Sequence, residues 1–134
     1  LDARLARGLA KSRPVVYASL GSGGLYFDWE FLEDLIQDGY KVSSIHLVDR
    51  EYKSSWEQVQ EHPDVASALR AFVSWFSLGG SGGGTSCSVR VHASFEDLCA
   101  HLRAGGAPLP DVVMQCDAQI YSIKSPVQVA PIIR

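Results

Sequence analysis

Apolar runs and amphipathic stripes alternate along this chain in a way that leaves few folds open. Val15-Val16-Tyr17-Ala18-Ser19-Leu20 is a continuous apolar run closed by Gly21, the pattern of a strand buried on both faces. From Asp28 onward Phe31, Leu32, Leu35 and Ile36 fall on one helical face, and Asp38-Gly39 supplies the stop. Val42 to Val48 is a second strand ending in Asp49. Ser54 with Glu57 forms a capping box, and Asp64, just after Pro63, caps a longer helix carrying Val65, Ala68, Leu69, Phe72, Val73 and Phe76 on one stripe. A flexible Gly-rich linker over 79–86 then leads to a third strand, Cys87 to Val91. Ser94 caps a helix through Phe95, Leu98, Cys99 and Leu102, Gly105-Gly106 ends it, and Asp111 to Cys116 is a fourth buried strand.

Strands that alternate with helices pair in parallel, because only a crossover of this length returns the chain to the same end of the sheet. Right-handed crossovers then predict a three-layer α/β domain of the doubly wound, Rossmann-like kind, with a mainly parallel sheet in the order 3-2-1-4. Residues 1–134 read as a single domain: a short amphipathic helix over 1–13, the four strands, and an irregular tail over 118–134, where Pro126 and Pro131 cannot both sit inside a central strand. Ligands are expected at the carboxyl ends of the strands, near the switch between the first and fourth.

Composition removes several classes of function. The formal charge of −3 gives no support to nucleic acid as a main partner, since phosphate binding without a cation excess forgoes counterion release. Arg4, Arg7, Lys11 and Arg13 form a local basic cluster that reads as a solvated helix face. Cys87, Cys99 and Cys116 are an odd set without CxxC spacing, which favours free thiols and a cytoplasmic setting over a disulfide framework or zinc site. No apolar run approaches the roughly 18–20 residues a membrane span needs, so no membrane role is expected.

The informative motif is Leu20-Gly21-Ser22-Gly23-Gly24-Leu25, where a strand hands over to a helix. Glycines there let the backbone approach a ligand whose polar groups meet free amide N–H groups, which suits a nucleotide. Asp49 lies beside that loop in the predicted sheet, positioned to accept hydrogen bonds from both hydroxyls of a ribose. The alternative is structural: the glycines only make a tight turn, and Asp49 only caps the segment after the strand.

On these residues, Val15 to Asp49 resembles the first half of the class I S-adenosylmethionine-dependent methyltransferases, and the looser likeness runs to Asp117. The turn after strand one of that family reads acidic-x-Gly-x-Gly-x-Gly; here the positions are Ser19, Gly21, Gly23 and Leu25, so two glycines match while the acid and the third glycine do not. The family's ribose-contacting acid corresponds to Asp49, at a separation lengthened by Tyr26-Phe27-Asp28-Trp29. Ser94, with Glu96 and Asp97 beyond it, stands where the family often has an Asp near the adenine. Asp117-Ala118-Gln119-Ile120-Tyr121 lacks both prolines of the motif of amino-methylating members. The resemblance implies S-adenosylmethionine as cofactor, held by Gly21, Ser22, Gly23, Asp49 and Ser94, and methyl transfer to an unspecified acceptor. The family sheet has seven strands, so the acceptor-binding half is expected to be absent, and the edge of strand four to be covered by the tail or by a second copy of the chain.

Other motifs are weaker. A dinucleotide fingerprint would need glycine where Tyr26 stands, and no Gly-Lys-Ser/Thr follows the glycines as a phosphate loop requires. Trp29 is read as a core residue or as a pocket wall. His46, His62, His92 and His101 are scattered, none at ligand spacing from another His or a Cys, so no metal is expected and the first and third read as structural. The reading from a different class is a non-catalytic Rossmann-like interaction module that kept the sheet and lost the cofactor.

Overall fold

A computed structural model describes residues 12–22, 25–49, 52, 63–77, 87–105 and 107–115. In chain order the elements are β1 (Val15–Leu20), α1 (Tyr26–Gln37), β2 (Val42–Val48), α2 (Pro63–Ser77), β3 (Ser88–His92), α3 (Phe95–Arg103) and β4 (Val112–Gln115). All strand pairings are parallel and the order is β3-β2-β1-β4, as the alternation predicts. The helix expected before residue 12, the capping box at Ser54, the linker over 79–86 and the tail over 118–134 lie outside the described residues.

The two faces of the sheet carry separate cores. Val15, Tyr17, Ile45, Leu47, Val112 and Met114 point toward α1 and α2, where Leu32, Leu69, Phe72 and Phe76 bury against them. Ala18, Leu20, Val48 and Val113 point the other way and are covered by Leu98, Cys99 and Leu102 of α3. Every residue of β1 is buried, as a central strand between two helical layers must be. Trp29 settles into the first layer, its ring 5.7 Å from Phe72 and 5.6 Å from Phe76.

Element ends differ from the periodicity in informative places. Helix α1 begins at Tyr26, two residues before the reading from apolar spacing, so the four residues that lengthen the turn relative to the methyltransferase pattern are its first helical turn. β3 runs one residue later than expected, which makes His92 a strand residue and leaves Cys87 as a buried link whose thiol donates to the Phe76 carbonyl. Burial pushes that thiol up to about 11, the environment of an unreactive cysteine. Cys87 and Cys99 are both free and buried.

Asp111 is not part of β4. Its Oδ2 accepts from the Val16 amide at 2.9 Å, its own amide donates to the Val16 carbonyl at 2.7 Å, and its Oδ1 takes the Arg13 guanidinium at 3.1 Å. Asp111 thereby extends the β1–β4 pairing just ahead of β4, its amide donating and its carboxylate accepting in place of a backbone carbonyl. No described helix is long and apolar enough to cross a membrane.

Candidate functional site

At the carboxyl ends of the strands, Gly21 N and Ser22 N both donate to the Val48 carbonyl, at 2.8 and 3.2 Å. Gly21 takes a positive φ of 78°, which glycine adopts without cost, and this lets two successive amides converge on one oxygen. Asp49, the next residue along, is buried, and its amide donates to the His92 carbonyl at 3.2 Å. The ends of β1, β2 and β3 are therefore stitched together, with Gly21, Ser22 and Asp49 at one locus. Gly23 lies outside the described residues.

The glycine spacing predicts free amides at this turn; among its described residues the amides are engaged within the chain, while Gly23 and Gly24 lie outside the described residues. The amides of Gly21 and Ser22 are taken up by Val48, that of Leu25 by the Ser22 carbonyl, and the Ser22 hydroxyl by the Ser19 carbonyl. The Ser94 hydroxyl is likewise engaged as the N-cap of α3, accepting from the Asp97 amide at 3.1 Å.

Leu25 stands where the methyltransferase pattern has its third glycine, and its backbone is left-handed, with φ 68° and ψ 12°. It is the one described non-glycine residue with positive φ. Such a conformation costs a leucine roughly 1–2 kcal/mol, offset here because the side chain is buried in the α1–α2 core. Leu25→Gly is accordingly expected to be more stable than Leu25→Ala by about 1 kcal/mol, reversing the usual order, because both lose the side chain and only glycine loses the strain. Urea denaturation of the two variants checks this; an alanine variant equal to or better than glycine would mean that the turn is not strained.

Sequence spacing does not single out Asp28. It projects inward from the first turn of α1, is fully buried, and accepts a 2.5 Å hydrogen bond from the Tyr17 hydroxyl through Oδ1. Its Oδ2 is buried with no hydrogen-bond partner among the described residues. Burial pushes the carboxyl pKa up, against the opposing hydrogen bonds from Ser19 and Tyr17. An acid thus reaches Ser19, where the methyltransferase pattern has its acidic residue, but it arrives from the helix. Next to the turn, Leu25, Tyr26, Trp29, Glu30, Ala68 and Ala71 line a largely apolar cavity of about 350 Å³ between α1 and α2.

Three of the scattered histidines meet on the opposite face. His46 of β2, His92 of β3 and His101 of α3 have ring centroids 5.4, 5.5 and 5.7 Å apart in pairs, and His46 Nδ1 lies 3.2 Å from His92 Nε2. Burial, then the neighbouring histidines and Arg90, lowers His46 to about 3. Burial and His101 lower His92 to about 4, against the pull of Asp97. Among the described residues no group of three or more His, Cys, Asp or Glu side chains is arranged to hold a metal ion.

Compared with known proteins, the chain matches no family model, no curated protein and no solved structure. Its class rests on the architecture: an α/β domain with a Rossmann-like parallel sheet and a stitched strand-end locus around Gly21, Ser22 and Asp49.

Proposed function

We propose that the domain binds an adenosine-containing cofactor of the S-adenosylmethionine class at the carboxyl ends of β1 and β2, as a methyltransferase-like domain. The observation that supports this reading is the attachment of the glycine turn to the residue preceding Asp49 through the paired hydrogen bonds to Val48, which brings the acid to the turn. The left-handed Leu25 is a second support, since it keeps a glycine-type backbone at the third glycine position. In this reading Asp49 holds the ribose and Ser94 borders the adenine end. Such a cofactor supplies an electrophilic methyl group, and the protein's part is to position it and exclude water.

The second reading, an interaction module without cofactor, has its own observation: the described amides of the turn are already paired within the chain, and Asp49 is only 3% exposed. Calorimetric titration with S-adenosylmethionine and its demethylated product, beside NAD and ATP, separates the two. Saturable binding of the first pair, weakened about 10- to 150-fold by Asp49→Ala, is the expected result, the scale of hydrogen bonds to a charged group. No binding of either compound would leave the interaction module standing.

A further inference from the structure

A second polar site lies on the other face of the sheet. The β2–β3 register sets Ser44 opposite Ser88, His46 opposite Arg90 and Val48 opposite His92. Alternation along a strand puts these side chains on one face, the one against which α3 packs, with Ser88 and Arg90 left exposed at the edge strand. Beside them, the same face is apolar, with Ala18, Leu20, Val48 and Val113 packed under α3. The strip runs from exposed Ser88 and Arg90 on β3 to buried His46 and His92, so it carries polar groups from the surface into the layer.

The strip does not close. His101 and the backbone around Gly105, Ala107 and Pro108 roof it at the end of α3, leaving a cavity of about 290 Å³ floored by Ser44, His46, Ser88 and Arg90. The cavity sits toward the amino ends of β2 and β3, away from the turn at Gly21. Among the described residues no carboxylate lines it. Asp97, in the first turn of α3, acts on His92. Arg90 has no ion-pair partner among the described residues, and its charge reaches both His46 and His92. The cavity thus gathers one guanidinium, two hydroxyls and two imidazoles with no carboxylate among its described lining.

We propose that this cavity is a binding site for a phosphate-class oxyanion, with Arg90 as the charged anchor and Ser44, Ser88 and His101 as further donors. The planar guanidinium suits two oxygens of such an anion. The hydroxyls supply donors that no carboxylate among the described residues competes for, and a neutral imidazole can donate its ring N–H to an anion oxygen. The volume admits inorganic phosphate or a small phosphomonoester. A cation is disfavoured by Arg90 in the same wall and by the absence of a metal-holding arrangement among the described residues.

The test is an NMR titration of the whole chain, tracking the histidine ring signals at constant ionic strength, with inorganic phosphate in one arm and glycerol phosphate in another. Saturable shifts at His46 and His101 are expected in at least one arm, and the arm with the tighter response identifies free phosphate or a phosphomonoester as the ligand. Arg90→Gln is expected to weaken the response about tenfold or more. Arg90 is exposed on β3, so this variant keeps the fold, which an unchanged circular-dichroism spectrum verifies. Ser88→Ala, on the same exposed strand, is expected to weaken binding by a smaller factor. Shifts that sodium chloride reproduces, or that Arg90→Gln leaves intact, would overturn the proposal. So would a chelator-reversible response to zinc with none to phosphate. These residues are not those of the proposed cofactor site, so either reading can fail alone.

Discussion

Asp111→Ala is expected to lower stability by about 2–3 kcal/mol and Tm by on the order of 10 °C, a large effect for a residue outside every strand and helix. The carboxylate is 2% exposed and is the acceptor for the amide of Val16, itself 2% exposed. Alanine leaves that amide buried without this partner, and the penalty for an unsatisfied buried donor is what sets the size. Arg13 contributes little, because its side chain is 47% exposed and solvent screens the pair. Asp111→Asn can still present an oxygen to Val16 and is expected to retain more than half of what alanine loses. Chemical denaturation of the three variants distinguishes the terms: if Arg13→Ala cost as much as Asp111→Ala, the ion pair and not the amide would be the source.

Acid is expected to unfold the domain through the histidine cluster. Both His46 and His92 are held below the ordinary 6.5, at about 3 and about 4, so between those values and 6.5 the unfolded chain binds more protons than the folded one. The stabilisation from keeping these rings neutral is full above pH 6.5 and is lost as pH falls, at up to about 1.4 kcal/mol per pH unit for each histidine. A fall from pH 7 to pH 5 therefore removes about 2 kcal/mol if one ring responds, and more if both do. Geometry points the same way, since the 3.2 Å contact between His46 Nδ1 and His92 Nε2 needs one nitrogen to accept. Asp28 has the opposite sign: its carboxyl is raised, so its contribution is present in acid and lost as pH rises, which offsets part of the histidine term. His92→Gln keeps a polar side chain without titrating and is expected to flatten the profile. A wild-type chain equally stable in urea at pH 7 and pH 5 would refute the assignment.

Topology was legible because it depends on local signals. A six-residue run before Gly21 that is apolar but for Ser19, a helical stripe before Gly39 and crossovers of helical length leave little choice but a parallel sheet centred on β1. Side-chain destinations were not legible to the same degree. His46 and His92 are 46 positions apart, and they meet because the β2–β3 register sets His92 opposite Val48, which makes it a diagonal neighbour of His46 on the same face. His101 joins them through the rotation of α3, which periodicity reports only as a stripe through Leu98, Cys99 and Leu102. Asp28 reads in a sequence as the polar start of a helix, and its burial follows from its place at i, i+4 and i+7 with Leu32 and Leu35 on the inward face of α1. Asp111 reads as the first residue of a strand because an aspartate that substitutes for a backbone carbonyl has no distinctive neighbours. At the glycine turn, spacing located the locus at Gly21, Ser22 and Asp49 but did not show that Val48 takes up the amides.

The left-handed Leu25 gives the glycine turn no conformational reserve of its own. A glycine would hold φ 68° unaided, whereas this leucine holds it because its side chain is anchored in the layer that contains Leu32, Leu69 and Phe72. Turn geometry and the seating of α1 against α2 are consequently one equilibrium. Free energy applied at either end is felt at the other with equal size, as reciprocity between linked equilibria requires. A molecule that grips the turn would tighten the helical layer beneath it, and a cavity opened in that layer would slacken the turn from within.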